Sequence, residues 1–144
     1  MRKPISTEMH GVIDYLTVGT LAMLPKLLGL SRPLSLAVQS VAITKLCYTL
    51  MTDNELGVVR KLPMKAHLAM DCVSGATLAA LPFLMEEEDE VATTTLVGLG
   101  LFELANAPMT QTTPSRRHLP RQAVRGVARN ARGMTRSVRQ RVGM

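Results

Sequence analysis

Residues 10–27, HGVIDYLTVGTLAMLPKL, can be laid over residues 67–84, HLAMDCVSGATLAALPFL, without a gap. Eight of the eighteen positions are identical at a constant shift of 57: His10/His67, Asp14/Asp71, Thr20/Thr77, Leu21/Leu78, Ala22/Ala79, Leu24/Leu81, Pro25/Pro82 and Leu27/Leu84. After one inserted residue the match continues more weakly, with Val41 on Leu99, Lys45 on Glu103, Met51 on Met109 and Thr52 on Thr110. A fixed period of this kind marks one supersecondary unit used twice. The expected repeats run from about 5 to 53 and from about 62 to 110.

Working outward, each repeat reads as two apolar helices, at roughly 8–29 and 34–52 and then 64–85 and 91–108. Gly29, Ser31 and Pro33 break the first pair, and the acidic run at 86–90 breaks the second. Pro25 and Pro82 sit near helix ends, where a missing N–H costs least. Asp53, Asn54 and Gly57 separate the halves. The expectation is an all-α four-helix bundle made from a duplicated hairpin.

The interiors of these segments carry almost no charge. None falls between Tyr15 and Pro25, between Cys72 and Met85, or between Val91 and Phe102. A water-facing bundle helix should show a broad charged face. A lipid-spanning helix needs about 20 largely apolar residues, which these lengths allow. Interior Thr, Ser and Gly, including Gly75-x3-Ala79, suit close helix packing in lipid. If all four segments span, Arg2, Lys3, Arg60, Lys61, Lys65 and the C-terminal arginines share one side. Lys26, Arg32 and the acids at 86–90 lie on the other. That asymmetry predicts a multi-pass protein of the inner membrane with both termini cytoplasmic. The N-terminal segment reaches His10 and Asp14 before any long apolar run, so it reads as a retained anchor rather than a cleaved signal. The competing expectation is a soluble helical interaction module.

Charge divides the chain. Residues 1–114 hold eight Lys/Arg against eleven Asp/Glu, whereas 115–144 hold nine Arg and no acid. The sequence thus predicts a membrane domain over 1–110 and an Arg-rich cytoplasmic tail over 111–144. Arg121, Arg125, Arg129, Arg132, Arg136 and Arg139 recur at steps of four, four, three, four and three. On a helix they would share one arc, beside a second arc of Val and Met, interrupted by Gly126 and Gly133. Such a segment could lie on anionic lipid headgroups or stay a disordered basic tail. Nucleic acid is an unfavoured partner, because the tail has no aromatic for base stacking. Small-residue faces leave room for a homo-oligomer.

Six ionisable residues inside the helices invite a functional reading: His10, Asp14, Lys45, His67, Asp71 and Glu103. A four-residue step puts each His and Asp on one face, and all six fall at similar depth toward the cytoplasmic end. Charge there is expensive, so the groups should face one another. The leading expectation is structural, with His–Asp contacts across the seam and Lys45 pairing with Glu103 or an Asp. Two alternatives stay open. With the histidines neutral the cluster sums to −2, which a divalent metal held by His10, Asp14, His67 and Asp71 would balance. Protons could do the same in a relay or a coupled transport site. The HxxxD spacing is not the ExxH pattern of carboxylate-bridged di-iron bundles. No phosphate loop or Ser–His–Asp arrangement is visible, so the chain is not expected to be an enzyme. Cys47 and Cys72 lack metal or disulfide spacing and read as packing residues.

His10, Gly11, Asp14 and Tyr15, followed by Leu-x-Pro-x-Leu near the helix end and a second such hairpin, resemble the small bacterial SPW-repeat membrane proteins. The resemblance covers residues 5–110. In place of Ser-Pro-Trp this chain has Leu24-Pro25-Lys26 and Leu81-Pro82-Phe83. It implies a two-hairpin architecture and a membrane location, and no activity.

Overall fold

The computed structural model describes residues 3–114, which form an all-α four-helix bundle. The helices are α1 (Thr7–Leu28), α2 (Arg32–Met51), α3 (Met64–Leu84) and α4 (Glu90–Met109), within two residues of the sequence expectation. The arginine tail, with its expected amphipathic helix, lies outside the described residues.

Local chemistry sets the boundaries. The Ser6 side chain accepts from the Met9 N–H and caps α1, whose last turn closes at Gly29 with φ 63°. That left-handed conformation is the one glycine adopts without steric cost. Pro33 occupies the first turn of α2, where no N–H is needed. Asp89 accepts from the Ala92 N–H and starts α4.

Every buried helical position of the first hairpin has a buried counterpart in the second, which adds Gly75. In α1 they are Thr7, His10, Gly11, Asp14, Thr17, Leu21, Leu24 and Pro25. Adding 57 to each gives buried residues of α3, from Met64 and His67 to Leu81 and Pro82. In α2 they are Leu34, Val38, Ala42, Lys45, Tyr48 and Thr49, and adding 58 reproduces the buried set of α4. The backbone repeats the relation. Ile5 donates to the Met109 carbonyl and accepts from Gln111, as Leu62 donates to Met51 and accepts from Asp53. The segment before each hairpin therefore pairs with the segment after the other. These reciprocal links tie the bundle at one end.

The interior has two layers. Away from those links, Leu21, Leu24, Leu34, Val38, Ala42, Leu78, Leu81 and Leu96 form a continuous apolar core. Next to them lie the ionisable residues. Outside, the helices stay apolar: Leu16, Met23, Leu27, Ile43, Val73, Phe83 and Val91 are all exposed. Exposed apolar side chains on this scale suit an apolar surrounding or an interaction surface. Among the described residues three helices, α1, α2 and α3, are long and apolar enough to cross a membrane, where the sequence reading expected four. α4 has similar length but carries Glu90, Glu103 and Asn106.

α3 and α4 pack closest. A Cβ on Gly100 would stand 2.4 Å from the Gly75 carbonyl oxygen and 2.7 Å from the Ala79 nitrogen. Backbone so near leaves no room for a side chain. Gly100→Val is therefore expected to lower bundle stability in detergent by about 3 kcal/mol or more, the upper range for overpacking. Gly98→Ala, which meets nothing within 4 Å, should leave thermal unfolding unchanged or slightly raised.

Candidate functional site

α1 and α3 each present a His and an Asp one turn apart, and α2 and α4 present Lys45 and Glu103 at matching levels. The structure brings all six side chains together, each at most 3% exposed. Each belongs to its helix's inward face, so one polar layer draws on every helix of the bundle.

Lys45 holds the middle. Its Nζ lies 2.6 Å from Asp71 Oδ1, 3.0 Å from Asp14 Oδ1 and 3.2 Å from Glu103 Oε1. One ammonium thus faces three carboxylates at ion-pair distance. Glu103 makes that single charge contact, off hydrogen-bond alignment, and neither of its oxygens has a hydrogen-bond partner. The Tyr48 hydroxyl donates to Asp71 Oδ1 at 2.7 Å and lies 3.2 Å from Ser74 Oγ.

The other carboxylate oxygens turn toward the histidines. His10 Nε2 lies 2.8 Å from Asp71 Oδ2 and 3.5 Å from Asp14 Oδ2. His67 Nε2 lies 2.9 Å from Asp14 Oδ2 and 3.1 Å from Asp71 Oδ2. The two Nε2 atoms are 3.2 Å apart, with the rings close to perpendicular at 77°. Every His therefore touches its own helix's Asp and the other hairpin's.

The far side of each ring meets a threonine. Thr52 Oγ1 is 2.7 Å from His67 Nδ1, and Thr110 Oγ1 is 2.9 Å from His10 Nδ1. Both hydroxyls donate their one proton to a backbone carbonyl four residues earlier, of Tyr48 and Asn106. Each oxygen is thus left to accept, which favours Nδ1 as the donor; on His10 the Asn106 amide nitrogen, 3.4 Å from the same Nδ1, competes for it. The threonine contacts thereby favour Nδ1–H outward and the Nε2 lone pair toward the centre, most clearly on His67, whose Nδ1 meets Thr52 alone.

Four donor atoms, two Nε2 and two Oδ2, lie within 4.8 Å of one another and are of a kind that holds a metal ion. The enclosing groups leave no space for a water molecule. Nothing in this closed layer offers a substrate-sized cavity. Sequence reading reached the six ionisable residues but passed over Tyr48, Ser74, Thr52, Thr110 and Asn106. Of these, only the threonine pair carried a signal, as matching positions of the two hairpins. Comparison with protein families, with characterised proteins and with solved structures finds no match to this chain.

The charge balance depends on Lys45. Its removal leaves three buried carboxylates facing one another. Breaking a buried ion pair from one side costs about 3–5 kcal/mol. Lys45→Met should therefore destabilise the bundle by at least that amount in denaturant unfolding, and Lys45→Met with Glu103→Gln should recover part of the loss. Wild-type stability in the single variant would show that the network carries no net charge interaction.

Proposed function

We propose that this chain is an integral membrane protein of four spans without catalytic activity, built by duplication of a helical hairpin and locked at its cytoplasmic end by the buried ionic layer. The observation that carries this reading is the division of the interior. Ionisable and polar groups gather at one end, beside a small cluster of Met64, Leu68 and Ala107, leucine, valine and alanine fill the other, and many apolar side chains are exposed on the outside. Lipid as the solvent accounts for the exterior, and mutual pairing accounts for the charges within it.

α4 belongs with the other three. Glu103 and Asn106 lower its hydropathy, yet both are buried against the bundle, while Val91, Leu101 and Phe102 face outward. The charge asymmetry of the loops supports cytoplasmic termini, with the acids at 86–90 outside. On that side of the bilayer the arginine tail would meet anionic headgroups.

The same division speaks against transport. Hairpins of two helices repeat with the same orientation in the bilayer, so the layer sits near one face instead of at the midplane. His10 is three residues into α1, about 5 Å at 1.5 Å per residue. Beyond Thr17 and Ser74 no buried polar group of α1 or α3 continues toward the other end. A proton or ion pathway needs such a continuation.

Two measurements test the reading. The chain should stay in the membrane pellet after alkaline carbonate washing, and release into the supernatant would refute the spanning arrangement. In a Cys47→Ala/Cys72→Ala background, Glu87→Cys should react with an impermeant thiol reagent added to intact cells. Labelling only after lysis would reverse or abolish the assigned topology.

A further inference from the structure

The innermost atoms of the polar layer pose a problem that hydrogen bonding does not solve. The threonine hydroxyls, each donating to a backbone carbonyl, favour Nδ1–H on both histidines, and in that tautomer both Nε2 lone pairs point inward. They meet Asp14 Oδ2 and Asp71 Oδ2, which are lone-pair donors as well. One proton on His10 Nε2 would satisfy the aligned 2.8 Å contact to Asp71 Oδ2. It would leave the His67 lone pair against two carboxylate oxygens. A second proton, on His67 Nε2, would set two N–H groups against each other across 3.2 Å. Asp14 Oδ2, 2.9 Å from His67 Nε2, has no aligned hydrogen-bond partner. One acceptor at the common centre would satisfy all four converging electron pairs together.

We propose that His10 Nε2, His67 Nε2, Asp14 Oδ2 and Asp71 Oδ2 bind one zinc-class divalent cation in a closed tetrahedral site. Around zinc, nitrogen and oxygen ligands stand about 2.0–2.2 Å from the ion, which makes the edges of a tetrahedron about 3.3–3.6 Å. Five of the six ligand–ligand distances here are 2.8, 2.9, 3.1, 3.2 and 3.5 Å, and the sixth is within 4.8 Å, so an ion would draw the four atoms to even edges by shifts of a few tenths of an ångström or more.

Two further features suit an ion. The first is the outer shell. A metal-bound His characteristically donates its other N–H to a fixed acceptor, and Thr52 and Thr110 fill that role. Each ligating Asp has its second oxygen on Lys45, and Asp71 also receives the Tyr48 hydroxyl. The second is charge. Asp14, Asp71 and Glu103 against Lys45 leave −2 with neutral histidines, and a divalent cation brings the layer to zero. Magnesium and calcium want six or more oxygen ligands, whereas imidazole with carboxylate suits zinc. With all four positions filled by protein and no room for water, the ion would hold the hairpins together without activating a nucleophile.

The full-length chain, purified in detergent without a polyhistidine tag, should carry one zinc per chain by elemental analysis. Its thermal unfolding should drop by about 10 °C or more after chelation and recover with zinc chloride alone. Cobalt(II) in place of zinc should give the intense visible bands of tetrahedral coordination, and Asp71→Asn should abolish them. His10→Ala with His67→Ala should lose the metal, and where that variant fails to fold, Thr52→Val and Thr110→Val keep all four ligands. Each of these should weaken zinc in competition with a chelator by about 10–100-fold. Metal-free protein that melts where the metal-treated protein does would overturn the site and assign the layer to shared protons. That result leaves the membrane reading intact, as carbonate extraction of a zinc-loaded chain would leave the site intact.

Discussion

A single ammonium group, the Lys45 Nζ among three carboxylates, fixes how the helices come together. Burying one charge in a low-dielectric interior costs several kcal/mol, so these residues tolerate few arrangements. Lys45 leaves α2 and meets α1 at Asp14, α3 at Asp71 and α4 at Glu103. A one-residue rotation of any helix would strand a charge in an apolar surrounding. Leucine packing permits small shifts of register at little cost, and this contact set does not. The apolar core supplies area, and the ionic layer supplies uniqueness.

Reciprocity between the hairpins explains most of the layer, and its exceptions explain the rest. His10/His67, Asp14/Asp71 and Thr52/Thr110 are equivalent positions with equivalent contacts. Lys45/Glu103 and Tyr48/Asn106 are equivalent positions with different chemistry. A strictly symmetric pair of hairpins would place two lysines or two glutamates there. Two lysines would neutralise the two aspartates and leave no call for a cation. Two glutamates would make the layer −4. One of each gives −2, the charge that a single divalent ion cancels. Within the proposed metal reading, fusing the hairpins into one chain is what allows this composition, since only then can the equivalent positions differ.

Much of this was legible in the sequence, because the helical period and the 57-residue shift both act on the same residues. His10 and Asp14, repeated as His67 and Asp71, announced one face of two helices and implied that the faces meet. Lys45 and Glu103 were legible as charges too deep to face lipid. What escaped was whatever depends on hydroxyl and phenol direction. Tyr48 has no equivalent aromatic in the second hairpin, so no repeat marked it, and its contact with Asp71 comes from the approach of α2 to α3. Thr52 and Thr110 matched across the repeats but read as helix ends. Their role rests on a proton given to the carbonyl four residues earlier, which leaves the oxygen free for a histidine. The closeness of α3 and α4 at Gly75 and Gly100 escaped for another reason. A small-residue pair within one helix was visible, but its partner on the facing helix was not.

The last step concerns α4, whose composition falls below that of the other three helices. Hydropathy sums over a segment and treats a glutamate the same way wherever it points. Along α4, Glu103 and Asn106 face inward, where they lie against Lys45 and His10, while Leu101 and Phe102 face out. The surface such a helix offers to its solvent is more apolar than its sequence average. In an ordinary water-soluble bundle the correction runs the other way, because polar residues there face out and leucines face in. The ionisable groups of the polar layer lie inward on all four helices here, as Glu103 does on α4. A charge shut away from water is cheapest beside an opposite charge, so where such a residue points decides what it costs, and a sum along the segment does not.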